Sequence, residues 1–393
     1  MPQENAEFLM DDGCLYFVDD ASDYDYSDAD TASIAGTSST MSTLESVEAR
    51  SYFREVDGRM FPADSNVPLL LPIDNDEVRR LEKQHLILKL ILEEDYLGPM
   101  REVLVLNPML ERRKRVLDLV TLDGSWVQEM SQVFPDVDFV SIDSTPLRPH
   151  TPRPNVVFEV YDLYNGLAEP DNSFDIVHIR YAVIFVKDFK SLVRDVHRVL
   201  RPGGLLLFCE YEFEVYDALF PDVPAWGTLP GMSNALRLVR GGLAAQGVNA
   251  YIWRDLPQWL PCNSSFWKES ELESDAYFVG GGDTEHAKRI VRRPLRPRFD
   301  QMLRRGFTDV QARVNLVPVA PWSEDPRLRS IGAMVQEVWL DMWQGMASSF
   351  RAQGLSAQEA QETVQAAMYD IRYPSVRMCA KLHTLLAYRV EDK

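Results

Sequence analysis

The stretch "RVLDLVTLDGSWVQEM", Arg115–Met130, decides the fold of this chain. Residues 115–119 are typical of a buried strand, and the apolar spacing after the turn is typical of an amphipathic helix. In α/β domains that hold a ligand at such a turn, glycine is abundant there, because it accepts unusual dihedrals and close approach. Here Val120 and Leu122 accompany a single Gly124. The stretch therefore predicts a strand–turn–helix unit and raises the question of whether its turn still accepts a ligand.

Strands and helices alternate on both sides of this unit. Further strands are predicted at 138–143, 156–161, 174–180 and 204–210, and helices at 125–134 and 187–200. The alternation predicts an α/β fold with a doubly wound, mostly parallel sheet covered by helices on both faces. In "LRPGG", Leu200–Gly204, proline cannot continue the preceding helix and glycine accepts a left-handed cap, so a helix stop and a turn are predicted.

The flanking regions differ from this core, which we place at 111–215. Residues 1–48 are rich in Asp, Ser, Thr and Ala, so they bury too little apolar surface to order, and a disordered acidic tail is predicted. A helical lead-in, 49–110, contains a helix over 77–97. Residues 216–393 are expected to add lid helices and closing strands to the same domain. Their predicted helices lie near 233–246, 326–352 and 356–371, and their predicted strands at 308–317 and 381–390.

Composition excludes several classes of protein. The net charge of -19 argues against a nucleic-acid backbone or an anionic membrane as the main partner. The four cysteines lie far apart without metal-ligand spacing, so no metal site and no disulfide framework is predicted. A reducing compartment, cytoplasmic or nuclear, is expected. There is no apolar run of about 18 residues, so no transmembrane helix is expected either.

Polar residues follow the predicted strands at the edge where open parallel sheets bind ligands. Asp143 ends the second strand about 20 residues past the turn, where a carboxylate commonly accepts hydrogen bonds from two ribose hydroxyls. The alternatives are a helix cap for Asp143, a packed histidine for His178 and a structural ion pair for Arg180. The residues concerned are Asp118, Asp143, Asp162, His178, Arg180 and Tyr181.

Six stretches, in order, carry a resemblance to a known family. They are "GRMF", "EVRRLEKQHLILKLIL", "RVLDL…GSWVQEMSQVFPDVDFVSID", "PNVVFEVYDLYNGLAEPDNSFDIVHIR", "KDFKSLVRDVHRVLRPGGLLLFCEYEFEVYD" and "HTLLAYRV". Together they resemble class I S-adenosylmethionine-dependent methyltransferases, in particular a fungal group that includes LaeA-like regulators of secondary metabolism. No single motif is decisive, but "PDNSFDIVH" and "HRVLRPGG" stand at the separation expected of that family. The resemblance covers about residues 50–391.

This resemblance implies a Rossmann-like, seven-stranded sheet that binds S-adenosylmethionine or its demethylated product. Asp143 would match the ribose carboxylate, and Asp162 with Leu163 the adenine contact. Gln84 and His85 match a "QH" pair in the family's leading helix, which is expected to lie over the pocket. The cofactor-binding residues predicted in this way and from strand position are Asp118, Gly124, Asp143, Asp162, Leu163 and Arg180.

The chain departs from the family at the turn, where the family has D-x-G-x-G-x-G. Val120 and Leu122 replace two of the three glycines. Side chains forced to positive φ cost on the order of 1–3 kcal/mol each, and strain confined to the bound form would weaken affinity. Their bulk would also fill space for the methionine part. Asp123, at a helix N-terminus, can cap the helix, repel the cofactor carboxylate or attract its ammonium.

Methyl transfer from a sulfonium needs an aligned, dry approach more than a nucleophilic residue. Aromatic faces suit the sulfonium charge, and the candidates are Tyr181, Tyr211, Trp226 and Trp253. Trp126 is expected in the core or the pocket wall. His178 is the candidate base for a hydroxyl acceptor.

Three functions remain open at this point. The first is a methyltransferase with a small-molecule acceptor, and the second is an inactive pseudo-methyltransferase that binds a protein partner. A dinucleotide-dependent oxidoreductase is disfavoured because G-x-G-x-x-G is absent.

Overall fold

The computed structural model describes residues 17–19, 41–43, 52–64, 67–68, 71–105, 112–145, 153–160, 163, 166–269 and 305–391. The predicted acidic tail, 1–48, lies outside these residues apart from two three-residue strands. These are β1 (Phe17–Asp19) and β2 (Met41–Thr43), which pair with each other in antiparallel fashion.

The lead-in consists of a hairpin and two helices. Strands β3 (Phe53–Val56) and β4 (Arg59–Pro62) form a separate two-stranded sheet. Helix α1 (Asn75–Leu92) follows, and α2 (Met100–Leu104) completes the region. Helix α1 begins two residues before the predicted helix, because the Asp74 carboxylate accepts a hydrogen bond from Glu77 N–H and caps it.

The central sheet is doubly wound. Strand β8 lies beside β5, and the parallel order is β9-β8-β5-β6-β7, so strand order reverses between β5 and β8. Strand β13 joins β9 in antiparallel fashion, and β12 joins β13. These seven strands confirm the predicted α/β, mostly parallel, seven-stranded fold. They are β5 (Lys114–Leu119), β6 (Val137–Asp143), β7 (Val156–Val160), β8 (Phe174–Arg180), β9 (Leu200–Tyr211), β12 (Phe307–Pro318) and β13 (Met378–Arg389).

Two edges of this sheet extend beyond the predicted set. The short strand β10 (Tyr216–Asp217) pairs with β13, β11 (Phe220–Pro224) pairs with β10, and β1 pairs with β7. Because β13 hydrogen-bonds directly to β9, the region after residue 216 contributes a strand to the same sheet as the core.

The helices begin where capping groups are available. Asp188 accepts from Ser191 N–H to start α4, and Asp325 followed by Pro326 starts α8. Ser356 and Glu359 form a capping box at α9. The helices after α2 are α3 (Ser125–Val133), α4 (Phe189–Val199), α5 (Pro230–Ala245), α6 (Ile252–Trp259), α7 (Phe266–Glu269), α8 (Pro326–Ala352) and α9 (Ala357–Arg372).

The "LRPGG" segment corrects one detail of the sequence analysis. Helix α4 stops at Val199 as expected, but Leu200–Gly204 belongs to β9 rather than to a separate turn. Phe174 pairs with Leu200 and Ile176 with Leu205, so β9 carries three extra residues at this irregularity. Gly203 has φ +74°, which allows the chain to bulge within the strand.

Helix α1 packs against α8 across the top of the sheet. Lys83 forms an ion pair with Glu337 at 2.5 Å, and Arg327 pairs with Glu93 at 2.7 Å. None of the helices in the described part of the chain is both long enough and apolar enough to cross a membrane.

Candidate functional site

The turn after β5 adopts the conformation that glycine would favour, although it carries side chains. Val120 has φ +58°, Leu122 +56° and Gly124 +74°. These are the three positions where the family pattern places glycine. A β-branched residue at positive φ is a genuine outlier, so the loop, 120–124, is strained in the folded chain.

Neighbouring backbone groups hold this loop in place. The N–H groups of Val120 and Thr121 both donate to the Ile142 carbonyl, at 2.9 and 3.2 Å. The Leu122 N–H donates to Asp143 Oδ2 at 2.9 Å. Hydrogen bonds from the loop to the end of β6 therefore offset part of the strain of the left-handed residues.

The two aliphatic side chains of the loop have different surroundings. Both are 4% exposed and belong to the main hydrophobic core. Leu122 lines a cavity beside the loop, whereas Val120 is not among the cavity-lining residues. Of the two side chains expected to intrude on a ligand, Leu122 is the one in a position to do so.

This cavity, of about 100 Å³, lies at the carboxyl ends of β5, β8 and β9. Its wall is mainly apolar. Tyr181 and Tyr211 stack with their ring centroids 5.8 Å apart. The polar residues on the wall are Glu77, Arg80, Gln84, Tyr181, Glu210 and Tyr211.

Tyr181 has a strained backbone and a free hydroxyl. Its φ is +55°, and its hydroxyl is buried without a hydrogen-bond partner among the described residues. Glu210 accepts from the N–H groups of Val183 and Tyr211, both at 3.0 Å, and burial raises the pKa of its carboxyl to about 8. Strain and unpartnered buried groups concentrate at ligand sites, which favours this cavity as the functional site.

Asp143, the predicted ribose carboxylate, points back at the loop. Its Oδ2 accepts from Leu122 N–H, and its Oδ1 accepts from Thr145 N–H at 3.2 Å. Burial raises the pKa of this carboxyl to about 7, despite the backbone donors that lower it. The Ser144 N–H is a third backbone donor to Asp143, and because each carboxylate oxygen has two lone pairs, acceptor capacity remains for one hydroxyl.

The side chains of Asp118 and His178 are hydrogen-bonded to each other beneath the loop 120–124. His178 Nδ1 lies 2.7 Å from Asp118 Oδ1, and Ser141 Oγ donates to Asp118 Oδ2 at 3.2 Å. The imidazole stacks on Trp126 with ring centroids 3.7 Å apart. His178 is 4% exposed and is not part of the cavity wall, so this geometry gives no support to its predicted role as a base. Trp126 lies in the core, as expected.

A chain of polar contacts joins α1 to the sheet. Arg180 Nη1 donates to His85 Nδ1 at 2.8 Å, and His85 Nε2 lies 2.7 Å from Glu129 Oε2. Lys89 donates to the other oxygen of Glu129. Burial, and then Arg180, lower the pKa of His85. The two residues of the predicted "QH" pair therefore have different surroundings. Gln84 lines the cavity, whereas His85 contacts Arg180.

Other predicted residues lie elsewhere or are not described. Asp162 is outside the described residues, and Leu163 is partly buried against the main core. Trp226 is 62% exposed and Trp253 stacks on His383, so neither lines the cavity. The carboxylate of Asp123 is buried and accepts from the Ser125 hydroxyl, but the N-cap residue of α3 is Gly124 and no side-chain hydrogen bond caps this helix.

Sequence reasoning missed Glu77, Arg80 and Glu210. Arg80 forms two hydrogen bonds to Glu77, at 2.6 and 2.8 Å, and a third to Gln84. Residues 77, 80, 81 and 84 share one helical face, and that spacing could have indicated a common wall. Nothing in the sequence distinguished Glu210 from an ordinary strand residue.

Known proteins resemble this chain over its core. Residues 92–260 match the family model of a methyltransferase domain. The secondary metabolism regulator LaeA of Coprinopsis cinerea is 34% identical over 166 residues, 42% of this chain and 40% of that relative. The methyltransferase PytC of Aspergillus terreus is 25% identical over 310 residues, 79% of this chain and 78% of that protein.

Among solved structures, a Haemonchus contortus phosphoethanolamine N-methyltransferase matches 84% of this chain and 62% of its own. Its identity is 14% and its TM-score 0.36, a score too low to add to the fold described above. The sequence matches and the seven-stranded sheet agree with each other. Over residues 92–260, this chain is therefore similar to S-adenosylmethionine-dependent methyltransferases, and it shares sequence with LaeA of Coprinopsis cinerea over less than half of either chain.

Proposed function

We propose that this chain is an S-adenosylmethionine-dependent methyltransferase that acts on a small-molecule acceptor. The observation that carries the proposal is the loop after β5. It holds left-handed residues at 120, 122 and 124, the three glycine positions of the family, although two of them carry side chains. Strain of on the order of 1–3 kcal/mol per residue is expected to persist where the surrounding structure fixes a conformation, commonly at functional sites.

The polar groups around the loop fit the cofactor. Thr121 Oγ1 and the Tyr181 hydroxyl are buried without hydrogen-bond partners in the described part of the chain, so both have capacity for a ligand. Asp143 retains one acceptor site for a ribose hydroxyl. Asp118, Gly124, Leu163 and Asp162 stay proposals as cofactor contacts, of which Asp118 is engaged with His178 and Asp162 is not described.

When bound, the cofactor supplies a methyl group on a sulfonium, which is already activated for displacement. The residues of this chain then need to align the acceptor and exclude water. Tyr181 and Tyr211 present aromatic faces in the cavity, which suit a cation. Helix α1 covers the cavity through Glu77, Arg80, Leu81 and Gln84 and shields it from solvent.

The acceptor is proposed to be predominantly apolar, because most of the cavity wall is apolar. Glu210 is the nearest carboxyl to such an acceptor, and its raised pKa, about 8, suits proton exchange near neutral pH. The name of the LaeA relative places that protein in the regulation of secondary metabolism, and we propose secondary metabolism or its regulation as the setting of this chain.

One observation favours a second candidate, an inactive pseudo-methyltransferase that serves as an interaction subunit. Leu122 narrows a cavity of about 100 Å³, and both oxygens of Asp143 already accept backbone hydrogen bonds. Ligand pockets usually measure about 300–1,000 Å³. Such a protein would keep the sheet and bind a protein partner in place of an acceptor.

Calorimetric titration of the full chain with S-adenosylmethionine and S-adenosylhomocysteine separates the two candidates. We expect dissociation constants below about 0.1 mM, which corresponds to roughly -5.5 kcal/mol. Asp143→Ala should abolish binding, whereas Asp136→Ala, at the exposed opposite end of the same strand, should not change it. Binding weaker than about 1 mM by the wild-type chain would favour the pseudo-methyltransferase.

A further inference from the structure

We propose that this chain forms a two-fold symmetric dimer through one face, on which a hairpin lies beside a groove. The hairpin, residues 216–226, contains β10 and β11, and the groove lies between α8 and α9. In the dimer, the hairpin of each copy occupies the groove of the other. The inference goes beyond the proposed function, because this groove shares no residue with the cavity beside the loop 120–124.

The hairpin exposes several large apolar side chains. Phe220 is 67% exposed, and Leu219 and Val223 are exposed beside it. Trp226 is exposed at the end of the hairpin, where its indole N–H donates to Glu214 at 3.3 Å and fixes the orientation of the ring. Large apolar and aromatic side chains that are exposed together mark protein–protein interfaces.

Strand β11 lies at the end of the sheet in the described part of the chain, but its edge is poorly suited to pairing with another strand. Pro221 and Pro224 are two of its five residues, and neither has an N–H to donate. Prolines at an edge oppose the addition of a further strand. We therefore expect a partner to contact the side chains of the hairpin rather than its backbone.

The groove has a volume of about 480 Å³ and an aromatic wall. Tyr369 and Tyr373 line it with their ring centroids 5.2 Å apart, and both rings are exposed. Met368 lies on the same wall, and Gln344 of α8 closes the opposite side. Methionine and aromatic side chains adapt well to an apolar group, so the groove can accept a side chain such as Phe220.

The hairpin and the groove adjoin each other within one copy. Residues 375–377 follow Tyr373 directly and bond to both ends of the hairpin region. The Ala218 N–H donates to the Arg377 carbonyl at 2.9 Å, and the Ser375 hydroxyl donates to the Thr228 carbonyl. A projecting element and a receiving groove therefore lie side by side, which is the arrangement that a two-fold interface requires.

Charge and area favour a second copy of this chain as the partner. Asp222 is exposed on the hairpin and Arg372 is exposed in the groove, and neither forms an ion pair among the described residues. Each contact occurs twice in a two-fold interface, so Asp222 of each copy meets Arg372 of the other. The six large exposed side chains of the hairpin and groove offer on the order of 600–700 Å² per copy, close to the ~800 Å² of a standard interface.

An exchange of charges tests the crossed contact. Sedimentation equilibrium of the full chain should show a dimer with a Kd at or below about 10 µM. Asp222→Arg and Arg372→Asp each place like charges opposite one another twice, so each variant alone should dimerise at least tenfold more weakly. An equimolar mixture of the two variants should dimerise within about threefold of wild type, because opposite charges face each other again. Arg313→Asp, an exposed position on β12, is the control and should have no effect.

A second pair of variants tests the apolar contact. Phe220→Ser should weaken dimerisation at least tenfold, whereas Leu86→Ser, at an exposed position of α1, should leave it unchanged. All of these positions are exposed, so every variant should keep a Tm within about 2 °C of wild type.

Three results would overturn the proposal. A wild-type chain that stays monomeric at about 100 µM would leave this face to a different protein. A dimer that neither Phe220→Ser nor Asp222→Arg weakens would have its interface elsewhere. A mixture of Asp222→Arg and Arg372→Asp that associates no better than either variant alone would exclude the crossed arrangement.

Discussion

The backbone N–H of Leu122 donates a 2.9 Å hydrogen bond to the carboxylate of Asp143, 21 residues along the chain. The residue expected to bind a ribose therefore also holds the strained loop. The left-handed dihedrals of Val120 and Leu122 are part of the folded chain, so their strain lowers its stability. This changes the expected result of restoring glycine.

Replacing Val120 and Leu122 one at a time by glycine should separate the effect of backbone strain on affinity from the effect of side-chain volume. Val120→Gly should leave the affinity for S-adenosylhomocysteine within about threefold, since Val120 does not line the cavity. Leu122→Gly should raise that affinity severalfold, because its side chain occupies the wall. Calorimetry measures both, and equal effects of the two variants would contradict the distinction.

The stability of Leu122→Gly should fall slightly. Removing a buried leucine costs about 2–5 kcal/mol, and relief of strain returns about 1–3 kcal/mol. Urea denaturation should therefore show a net loss of roughly 1–2 kcal/mol. A variant more stable than wild type would mean that strain outweighs packing at this position.

Cofactor binding should weaken below neutral pH. The pKa of Asp143 is raised to about 7 in the ligand-free chain, and ribose hydroxyls donate to the ionised carboxylate. A protonated Asp143 must lose its proton before it can accept hydrogen bonds from the ribose. The affinity for the cofactor should therefore fall about tenfold per pH unit below pH 7. Titration with S-adenosylhomocysteine from pH 5.5 to 8.5 measures the slope, and Asp143→Asn should flatten it. A slope unchanged in that variant would assign the effect to another group.

The stability of the ligand-free chain should decrease as pH rises from about 5.5 to 8.5. Glu210 and Asp143 have folded-state pKa values raised to about 8 and about 7, so the folded chain binds more protons than the unfolded one in this window. Their stabilising contribution is complete below their unfolded pKa values and is lost as pH rises through the folded ones. Glu210→Gln should reduce this decrease by roughly 2–3 kcal/mol, measured by urea denaturation. An identical pH profile would rule out Glu210 as its source.

The contributions of Asp118 and His178 to the free energy of unfolding should be strongly coupled. A double-mutant cycle with Asp118→Asn and His178→Gln should give about 1–3 kcal/mol, because each substitution leaves a buried partner unsatisfied. The exposed pair Asp76 and Arg79 serves as the control and should give roughly 0.2–0.5 kcal/mol. Comparable coupling energies in the two pairs would show that the buried contact stabilises the fold no more than the exposed one.

The sheet could be predicted from the sequence because its strands are continuous apolar runs with clear ends. The bounds of β8 agree with the prediction, and β5 differs by one residue. "LRPGG" was misassigned because proline and glycine mark bulges as well as turns, and sequence spacing does not distinguish the two.

The site could be predicted only in part. The position of Asp143 at the end of β6 could be predicted, but its hydrogen bond to Leu122 depends on the loop conformation, which the side chains disfavour. The contact of Arg180 with His85 joins residues 95 apart in sequence, through the packing of α1 on the sheet. No local pattern encodes such a contact, so it becomes visible only in three dimensions.

Strand β13 lies between β9 and β12, although it is synthesised long after β9. Until residues 378–389 leave the ribosome, β9 has an unpaired edge, which is a template for aggregation or chaperone binding. Truncation or fusion near this strand would therefore affect the yield of soluble protein before it affects catalysis.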